Sequence, residues 1–398
     1  MTILKKKVLF VTYGGGHVNA IVPVIKKMEE KNFFDIVVLG LTTSAKVLKK
    51  NNVNFIQLQD LVDEKTIESG ELYAEKHHTH GIGINIKETA AYFGVGFEDL
   101  QLKFGKEKAK KMIEESGRKS FLPINFMRET FKRLKPNLVV TTSSPRFEKA
   151  SLLAANELGI PSIRIEQLFS PQNALLPKGI YYCVLNDYVK SRLLNRGIEE
   201  KYIKVTGQPA FDHVKLSYGL NNEVLKSEYE YQEDEKVLLW ISPGNKDQKR
   251  IISKLVEIEE KYSNFKLIIK LHPNEDGKKI VNQLKNLKSK AKVYSEDLQK
   301  LILISDIVLT EFSAVGLEAI LLDKPLITLN LTGKEDRVAY AEAGAALGVY
   351  DLNVLEESII KVFEDDSLVE VLMNNRRKFQ SDGLAAEKVN DFIEQLIL

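Results

Sequence analysis

Short apolar runs and longer amphipathic stretches alternate along most of this chain. The first run, Lys7-Val-Leu-Phe-Val-Thr12, leads into a glycine loop and a helical stretch from about Val18 to Lys31. Asp35–Leu39 and Asn54–Leu58 read as the next strands, with a helix around Ser44–Asn51 between them. The pattern resumes with helix Pro123–Leu134, strand Asn137–Thr141, helix Phe147–Leu158, and strands Ser162–Ile165 and Tyr182–Leu185. A second series opens at Lys236–Ile241, with a helix to about Tyr262 and a strand Lys266–Leu271. It continues through a helix near Lys278–Lys288, a short strand near Lys292–Tyr294, and strands Ile307–Thr310 and Leu326–Leu329. Runs that are apolar at every position, separated by helical stretches, predict α/β domains with parallel sheets covered on both faces.

Two such series make two Rossmann-like domains, and 398 residues are too many for one core. Gly207 and Pro209 break regular structure, which places the boundary near residue 210: a first domain over 1–209 and a second over 210–383. The polar stretch Asn221–Glu235 reads as a solvated connection. The segment of about 60–120 does not fit the alternation. It carries His77, His78, His80 and glycines 81, 83, 94 and 96, and reads as an irregular functional insertion.

Composition is 44% hydrophobic and 28% charged, ordinary for a soluble domain. A net charge of +2 provides no global field to recruit nucleic acid. The single Cys183 excludes an internal disulfide and reads as a buried thiol. The first residues lack a signal peptide's apolar core and no apolar stretch reaches membrane-spanning length, so a cytoplasmic protein is expected.

One segment carries the most chemistry. Glu311-Phe-Ser-Ala-Val-Gly-Leu-Glu318, then Ala-Ile-Leu-Leu-Asp-Lys-Pro325, stands between two apolar strands. The order is strand, small polar turn, short helix, Pro, strand. Ser313 and Ala314 stand where the helix begins, with free N–H groups that suit an anion. Glu318 lies farther along it, placed to accept hydrogen bonds from ribose hydroxyls. This segment resembles the donor-nucleotide motif of GT-B glycosyltransferases and of the UDP-N-acetylglucosamine 2-epimerases that share their fold. The resemblance spans nearly the whole chain. It implies a GT-B architecture, two Rossmann-like domains with parallel sheets facing across a cleft. It also implies a last helix, 384–398, packing back on the first domain, and assigns ribose binding to Glu318.

Other loops add candidates at strand ends, where parallel sheets bind ligands. Tyr13-Gly-Gly-Gly-His17 follows the first strand, and Gly14, Gly15 and Gly16 allow close approach of a ligand. It resembles the first loop of the lipid II synthase and galactolipid synthase branch. His17 is a candidate base for an acceptor hydroxyl, the alternative being a packing or capping role. Lys270-Leu-His-Pro273 ends a strand of the second domain. By resemblance to bacterial sialyltransferases and capsule-linker transferases, His272 contacts donor phosphate, with Lys270 beside it. Ser242-Pro-Gly-Asn245 reads as a phosphate loop through Ser242, Gly244 and Asn245, or as an ordinary helix start.

Glu166 ends the strand Ile163-Arg-Ile165. The stretch Thr141–Leu168 resembles the 2-epimerases, in which a Glu at this place is catalytic. Their Asp after the preceding strand is replaced here by Thr142-Ser-Ser144, and their Thr-Arg-Pro-Glu loop by Gly14-Gly-Gly-His17. Epimerisation needs an acid and a base together, so Glu166 is equally readable as the base of a transferase or as a salt-bridge partner of Arg164 or Arg146. The chain has no Asp-x-Asp to hold a metal on a diphosphate, and the three histidines lack the spacing of a zinc site. No metal and no separate cofactor are expected.

The expected activity is a metal-independent glycosyltransferase. It would use a nucleotide-sugar donor, with UDP favoured over CMP, and a glycan or lipid-linked acceptor in bacterial surface-polysaccharide assembly. The alternatives are a 2-epimerase or nucleotide-sugar hydrolase, and a non-catalytic binding protein. Between Lys103 and Lys135, eleven Lys or Arg stand against four Asp or Glu, interleaved with apolar residues from Phe104 to Met127. This stripe suits peripheral contact with an anionic membrane, or a solvated helix with its apolar face in the core.

Overall fold

The computed structural model describes residues 5–78, 83–170, 176–219, 222–244, 248–273 and 275–398; His80, Gly81 and Asn245 lie outside them. The chain divides into two units, Met1–Asp212 with Gly383–Leu398, and His213–Asp382.

The first unit holds β1 (Lys6–Thr12), β2 (Phe34–Gly40), β3 (Leu138–Thr141), β4 (Ser162–Ile165), β5 (Ile180–Val184) and β6 (Ile203–Val205). They form one sheet in the order β2-β1-β3-β4-β5-β6 with every pair parallel. The central strand β1 is apolar from Val8 to Val11 because both of its faces are covered there. Leu9 and Val11 join Phe147, Phe121 and Phe93 on one side. Val8 and Phe10 meet Ile21 and Ile25 of helix Gly16–Lys31 on the other. Helix Ala385–Ile397 adds Val389 and Ile393 to that second core. Asp212 secures its start, since the N–H groups of Ala385 and Ala386 donate to the Asp212 carboxylate at 3.0 and 2.8 Å.

The second unit repeats the plan with β7 (Lys236–Ile241), β8 (Phe265–Lys270), β9 (Lys292–Tyr294), β10 (Ile307–Thr310), β11 (Leu326–Leu329) and β12 (Leu347–Val349). The sheet order is β12-β11-β10-β7-β8-β9, again parallel. Trp240 and Leu238 pack under Ile252 and Leu255 of helix Gln248–Lys261. In both units the strands end in loops at their carboxyl edge, where the polar candidates collect.

The structure departs from the sequence pattern in several places. Asn54–Leu58 forms only an isolated bridge, Leu39 to Ile56, and its end turns into a short 3₁₀ helix. Helix Asn222–Glu228 interrupts the expected solvated connection. The segment after Asp60 is an ordered helical cluster: Glu64–His77, Ile86–Phe104 and Lys106–Ser116. Its glycines misled because they mark a helix contact. A Cβ on Gly70 would lie 2.0 Å from the Ala90 carbonyl, and one on Gly94 1.9 Å from the Thr66 carbonyl. Only glycine lets these two backbones approach so closely.

The same cluster accounts for much of the basic stripe. Ile113, Phe121 and Met127 of the stripe are fully buried core residues, whereas Phe104 at its start is exposed. Lys110 and Lys111 pair with Glu107 and Glu115 on the solvent side. Among the described residues no helix is long and apolar enough to cross a membrane. Cys183 is buried in β5, and burial pushes its thiol up to about 12.

Replacing Gly94 with Ala drives a methyl into a main-chain carbonyl that cannot rotate away. The expected cost is about 1–3 kcal/mol or more, read as a lower urea midpoint, while an exposed control, Lys111→Ala, changes little.

Candidate functional site

In the first unit the site is built where β1 and β3 end. Gly15 has φ +68° and turns the chain so that helix Gly16–Lys31 starts at once. A Cβ on Gly14 would lie 1.8 Å from Thr43 Oγ1, so the loop lies tight against the residues that follow β2. His17 is therefore held in the first helical turn with its side chain about one quarter exposed.

A relay runs behind this imidazole. His17 Nδ1 is 2.5 Å from Thr142 Oγ1, and Thr142 Oγ1 donates to Glu148 Oε2 at 2.6 Å. Glu148 is fully buried. It accepts the N–H of Tyr13 at 2.9 Å and that of Ser144 at 2.9 Å. The Thr142 hydroxyl has a single proton, and it goes to Glu148 Oε2. The Thr142 oxygen then accepts from Nδ1–H, which leaves Nε2 with its lone pair free to take a proton. The Gln167 side-chain amide stands 3.3 Å from His17 Nδ1, and with a proton on Nδ1 it is the amide oxygen that faces the ring.

Sequence reasoning missed Glu148. The available signal was a glutamate in the first turn of the helix after β3, where helix N–H groups favour a carboxylate. It supplies through Thr142 the negative charge that the 2-epimerase resemblance places directly after the strand.

Glu166 is in a different situation. Its carboxylate is buried and pairs with Arg164 Nε at 2.7 Å. Burial raises its pKa, and Arg164 and Ser170 oppose that shift. Gln208 Nε2 donates to its carbonyl at 3.0 Å. The geometry pairs Glu166 with Arg164, while the His17 ring stays partly exposed. His77 and His78 are also accounted for. His77 stacks on Phe93 at 5.1 Å, and His78 Nδ1 is 2.9 Å from Thr89 Oγ1.

In the second unit, β10 runs through Glu311–Ala314 into helix Val315–Leu321. Ser313 Oγ accepts the Val315 N–H at 3.2 Å, and the Tyr340 hydroxyl donates to the Ser313 carbonyl at 3.2 Å. Gly316 is required here, because a Cβ would lie 2.6 Å from the buried Tyr340 ring. Glu318 sits half-buried on this helix. Burial pushes its carboxyl up to about 7, opposed by a hydrogen bond from Gln299 and the charge of Lys270.

Lys270 closes β8. Its ammonium donates to the carbonyls of Leu271 and Ser295 at 2.8 and 3.0 Å. Burial lowers its pKa, with Glu296 and Glu318 acting against that. His272 lies against Gly244, whose φ is +71°; a Cβ there would come within 3.0 Å of the His272 side chain. Ser242, Gly244, Lys270 and His272 thus do come together.

The Ser242 loop differs from the expected open phosphate nest. Ser242 Oγ lies 2.7 Å from Gln248 Oε1 and 2.5 Å from Glu275 Oε2. The Gly244 N–H donates to Ser242 Oγ at 3.1 Å, and the His272 N–H to Glu275 Oε2 at 3.3 Å. Gln248 Nε2 also donates to Glu275. A carboxylate of the chain itself already holds donors that the sequence pattern offered to a ligand.

Comparison with known proteins follows the same division. A family model described as UDP-N-acetylglucosamine 2-epimerase matches residues 180–394. The processive diacylglycerol beta-glucosyltransferase of Bacillus licheniformis is 24% identical over 228 residues, 54% of this chain and 57% of that protein. The chain therefore spans a little over half the length of that relative. The capsular polysaccharide biosynthesis glycosyltransferase CapM of Staphylococcus aureus is 32% identical over 85 residues, 21% of this chain and 22% of that one.

Two solved structures are similar over almost the whole chain. UDP-GlcNAc 2-epimerase from Neisseria meningitidis, bound to UDP-GlcNAc, superposes with a TM-score of 0.65 at 17% identity, covering 98% of this chain and 100% of that one. MurG of Acinetobacter baumannii gives 0.60 at 16% identity, covering 98% and 99%. Such identities establish the fold, which is GT-B. With more than half of its length matched by the family model, the chain belongs to the UDP-N-acetylglucosamine 2-epimerase family, within the GT-B superfamily of nucleotide-sugar glycosyltransferases and epimerases.

Proposed function

We propose that this protein is a glycosyltransferase. It moves a sugar from a nucleotide-activated donor, UDP in preference to CMP, to a glycan or lipid-linked acceptor of bacterial surface-polysaccharide assembly, without a metal. The observation that carries the reading is the relay His17–Thr142–Glu148 beside a Glu166 already paired with Arg164. One oriented base suits deprotonation of an acceptor hydroxyl. Epimerisation through proton removal and return needs an acid and a base together.

In this reading His17 Nε2 takes the acceptor proton as the acceptor oxygen attacks the anomeric carbon of the donor. The bond from that carbon to the diphosphate breaks, and the nucleotide diphosphate leaves. The imidazolium that forms is stabilised by the Glu148 charge, 3.8 Å from Nδ1. Glu318 accepts from the ribose, while Ser313, Ala314, Lys270 and His272 meet the phosphates and offset the leaving-group charge.

Family membership favours epimerisation as the second reading. Its match begins at residue 180, however, beyond His17, Thr142, Glu148 and Glu166. What is matched is mostly the second unit. The relatives named as glucosyltransferase and capsular glycosyltransferase support transfer.

Incubating UDP-N-acetylglucosamine and UDP-glucose with the protein alone separates the readings by proton NMR. Transfer predicts an unchanged donor, then UDP release once diacylglycerol or cell-wall glycan fragments are added. Inversion at C2 in the donor alone would establish the epimerase and sink the transferase.

His17→Ala should lower transfer by about 10²–10⁴-fold and leave UDP affinity intact by calorimetry. Thr142→Val, which removes the relay oxygen from a buried site, should reduce turnover less severely with the same unchanged UDP affinity. Equal loss of UDP binding in either variant would move these residues to the donor side.

Glu318 predicts a pH dependence with a definite sign. Its carboxyl is protonated below about 7, and a neutral acid is a poorer acceptor for ribose hydroxyls. Affinity for a UDP-sugar, whose diphosphate diester keeps its charge across this range, should rise about tenfold from pH 6 to pH 8. Glu318→Ala should weaken binding by about 1–3 kcal/mol and flatten that rise. A flat wild-type profile would remove Glu318 from the nucleotide site.

A further inference from the structure

The helical cluster after Asp60 encloses a cavity of about 570 Å³ that none of the relay or nucleotide residues uses. Its size is within the range of small-molecule sites. The walls are of two kinds. Tyr92, Phe93 and His77 form an aromatic side, with His77 and Phe93 stacked nearly parallel at 14°. Thr42, Thr43 and Thr89 add hydroxyls. An apolar ring face edged by hydroxyls suits a pyranose, which has one carbon–hydrogen face and a polar rim.

Charge makes the lining more specific. Arg118 and Lys119 stand together on the 3₁₀ turn Gly117–Ser120 at the cavity wall. Nearby Lys110 and Lys111 are paired with Glu107 and Glu115, whereas Arg118 and Lys119 have no carboxylate partner among the described residues. Both are exposed, so their charge is available to a ligand. Glu88, which also lines the cavity, is occupied by the N–H groups of Leu58 and Gln59 at 3.2 and 2.9 Å.

Two features link the cavity to the glycine loop. Thr43 is shared between them, since it lines the cavity and its hydroxyl packs on Gly14. Tyr92 passes from the cavity wall to the Tyr13 hydroxyl at 2.9 Å, and the Arg146 guanidinium lies 5.1 Å above the Tyr13 ring. Thr42 is held at φ +53°, a conformation that strongly disfavours a β-branched residue. Such strain persists where the surroundings impose it, and it concentrates at ligand sites.

We propose that this cavity is the acceptor pocket and that it takes an anionic sugar, one bearing a phosphate or a carboxylate. The ring stacks on the Tyr92–Phe93–His77 side, and the anion pairs with Arg118 and Lys119. The proposal rests on the transferase reading of the His17 loop and deepens it by naming the acceptor's class.

The test measures binding to the full-length chain by ligand-observed NMR and calorimetry. The probes are glucose 6-phosphate, glucuronate and neutral glucose. Saturable binding of the two anionic sugars at millimolar concentration or below is expected, with glucose weaker. Arg118→Glu/Lys119→Glu should weaken the anionic sugars about tenfold or more and leave glucose unchanged, as loss of charge-assisted bonds requires. Ser116→Trp, an exposed substitution at the cavity wall, should weaken all three by obstruction. Anionic sugars that fail to saturate, bind no better than glucose, or ignore both variants overturn the proposal. UDP affinity, which belongs to the second unit, is measured in parallel. If UDP binds and the sugars do not, the pocket proposal falls and the nucleotide assignment stands; if UDP also fails, that assignment falls on its own evidence.

Discussion

A parallel sheet covered by helices on both faces has no place for an unpaired polar group except at its ends. That constraint organises both units of this protein. The central strands β1, β7 and β10 carry fully buried apolar residues on both faces. Their backbone polar groups are satisfied by parallel neighbours, so nothing chemical can be built along their length. Side chains able to bind or react are pushed to the loops after β1, β3, β8 and β10. His17, Thr142, Lys270 and Ser313 all lie there, although 125 positions separate His17 from its hydrogen-bond partner Thr142.

The carboxylates show how environment divides roles among identical side chains. Glu148 is fully buried yet accepts from two backbone N–H groups and from the threonine that meets His17. Glu166 is as buried but neutralised by Arg164. Glu275 is bound into the Ser242 loop. Glu318 has only one polar side chain and a lysine charge opposing its burial, which leaves it titrating near neutrality. Its exposure is partial, and a ligand that donates hydrogen bonds would favour its ionised form. The proposed transferase reading rests on these differences more than on the presence of any glutamate.

Family and chemistry are therefore distinct questions for this chain. The family match lies mainly over the second unit, while His17, Thr142, Glu148 and Glu166 lie before it. A shared fold is compatible with more than one reaction, because the reaction is decided by which proton acceptors reach the sugar.

The alternation of apolar runs and helical stretches was sufficient to read ten of the twelve strands, since the period of a buried strand is a local property; β6 and β12, three residues each, are too short to show it. The glycine loop, the strand-end histidines and the helix carrying Glu318 were legible for the same reason: each is set by a few adjacent residues. The segment after Asp60 was not, because a glycine such as Gly94 looks like a breaker until another helix is seen lying against it. Likewise, no local pattern distinguishes Glu148 from any other first-turn glutamate, or shows that Arg164 neutralises Glu166. The sequence by itself determined the class of fold, the strand ends that carry chemistry and the candidate side chains. Only the tertiary structure decided which charges are paired, which tautomer His17 holds and where a cavity is left, because those depend on contacts between residues far apart in the chain.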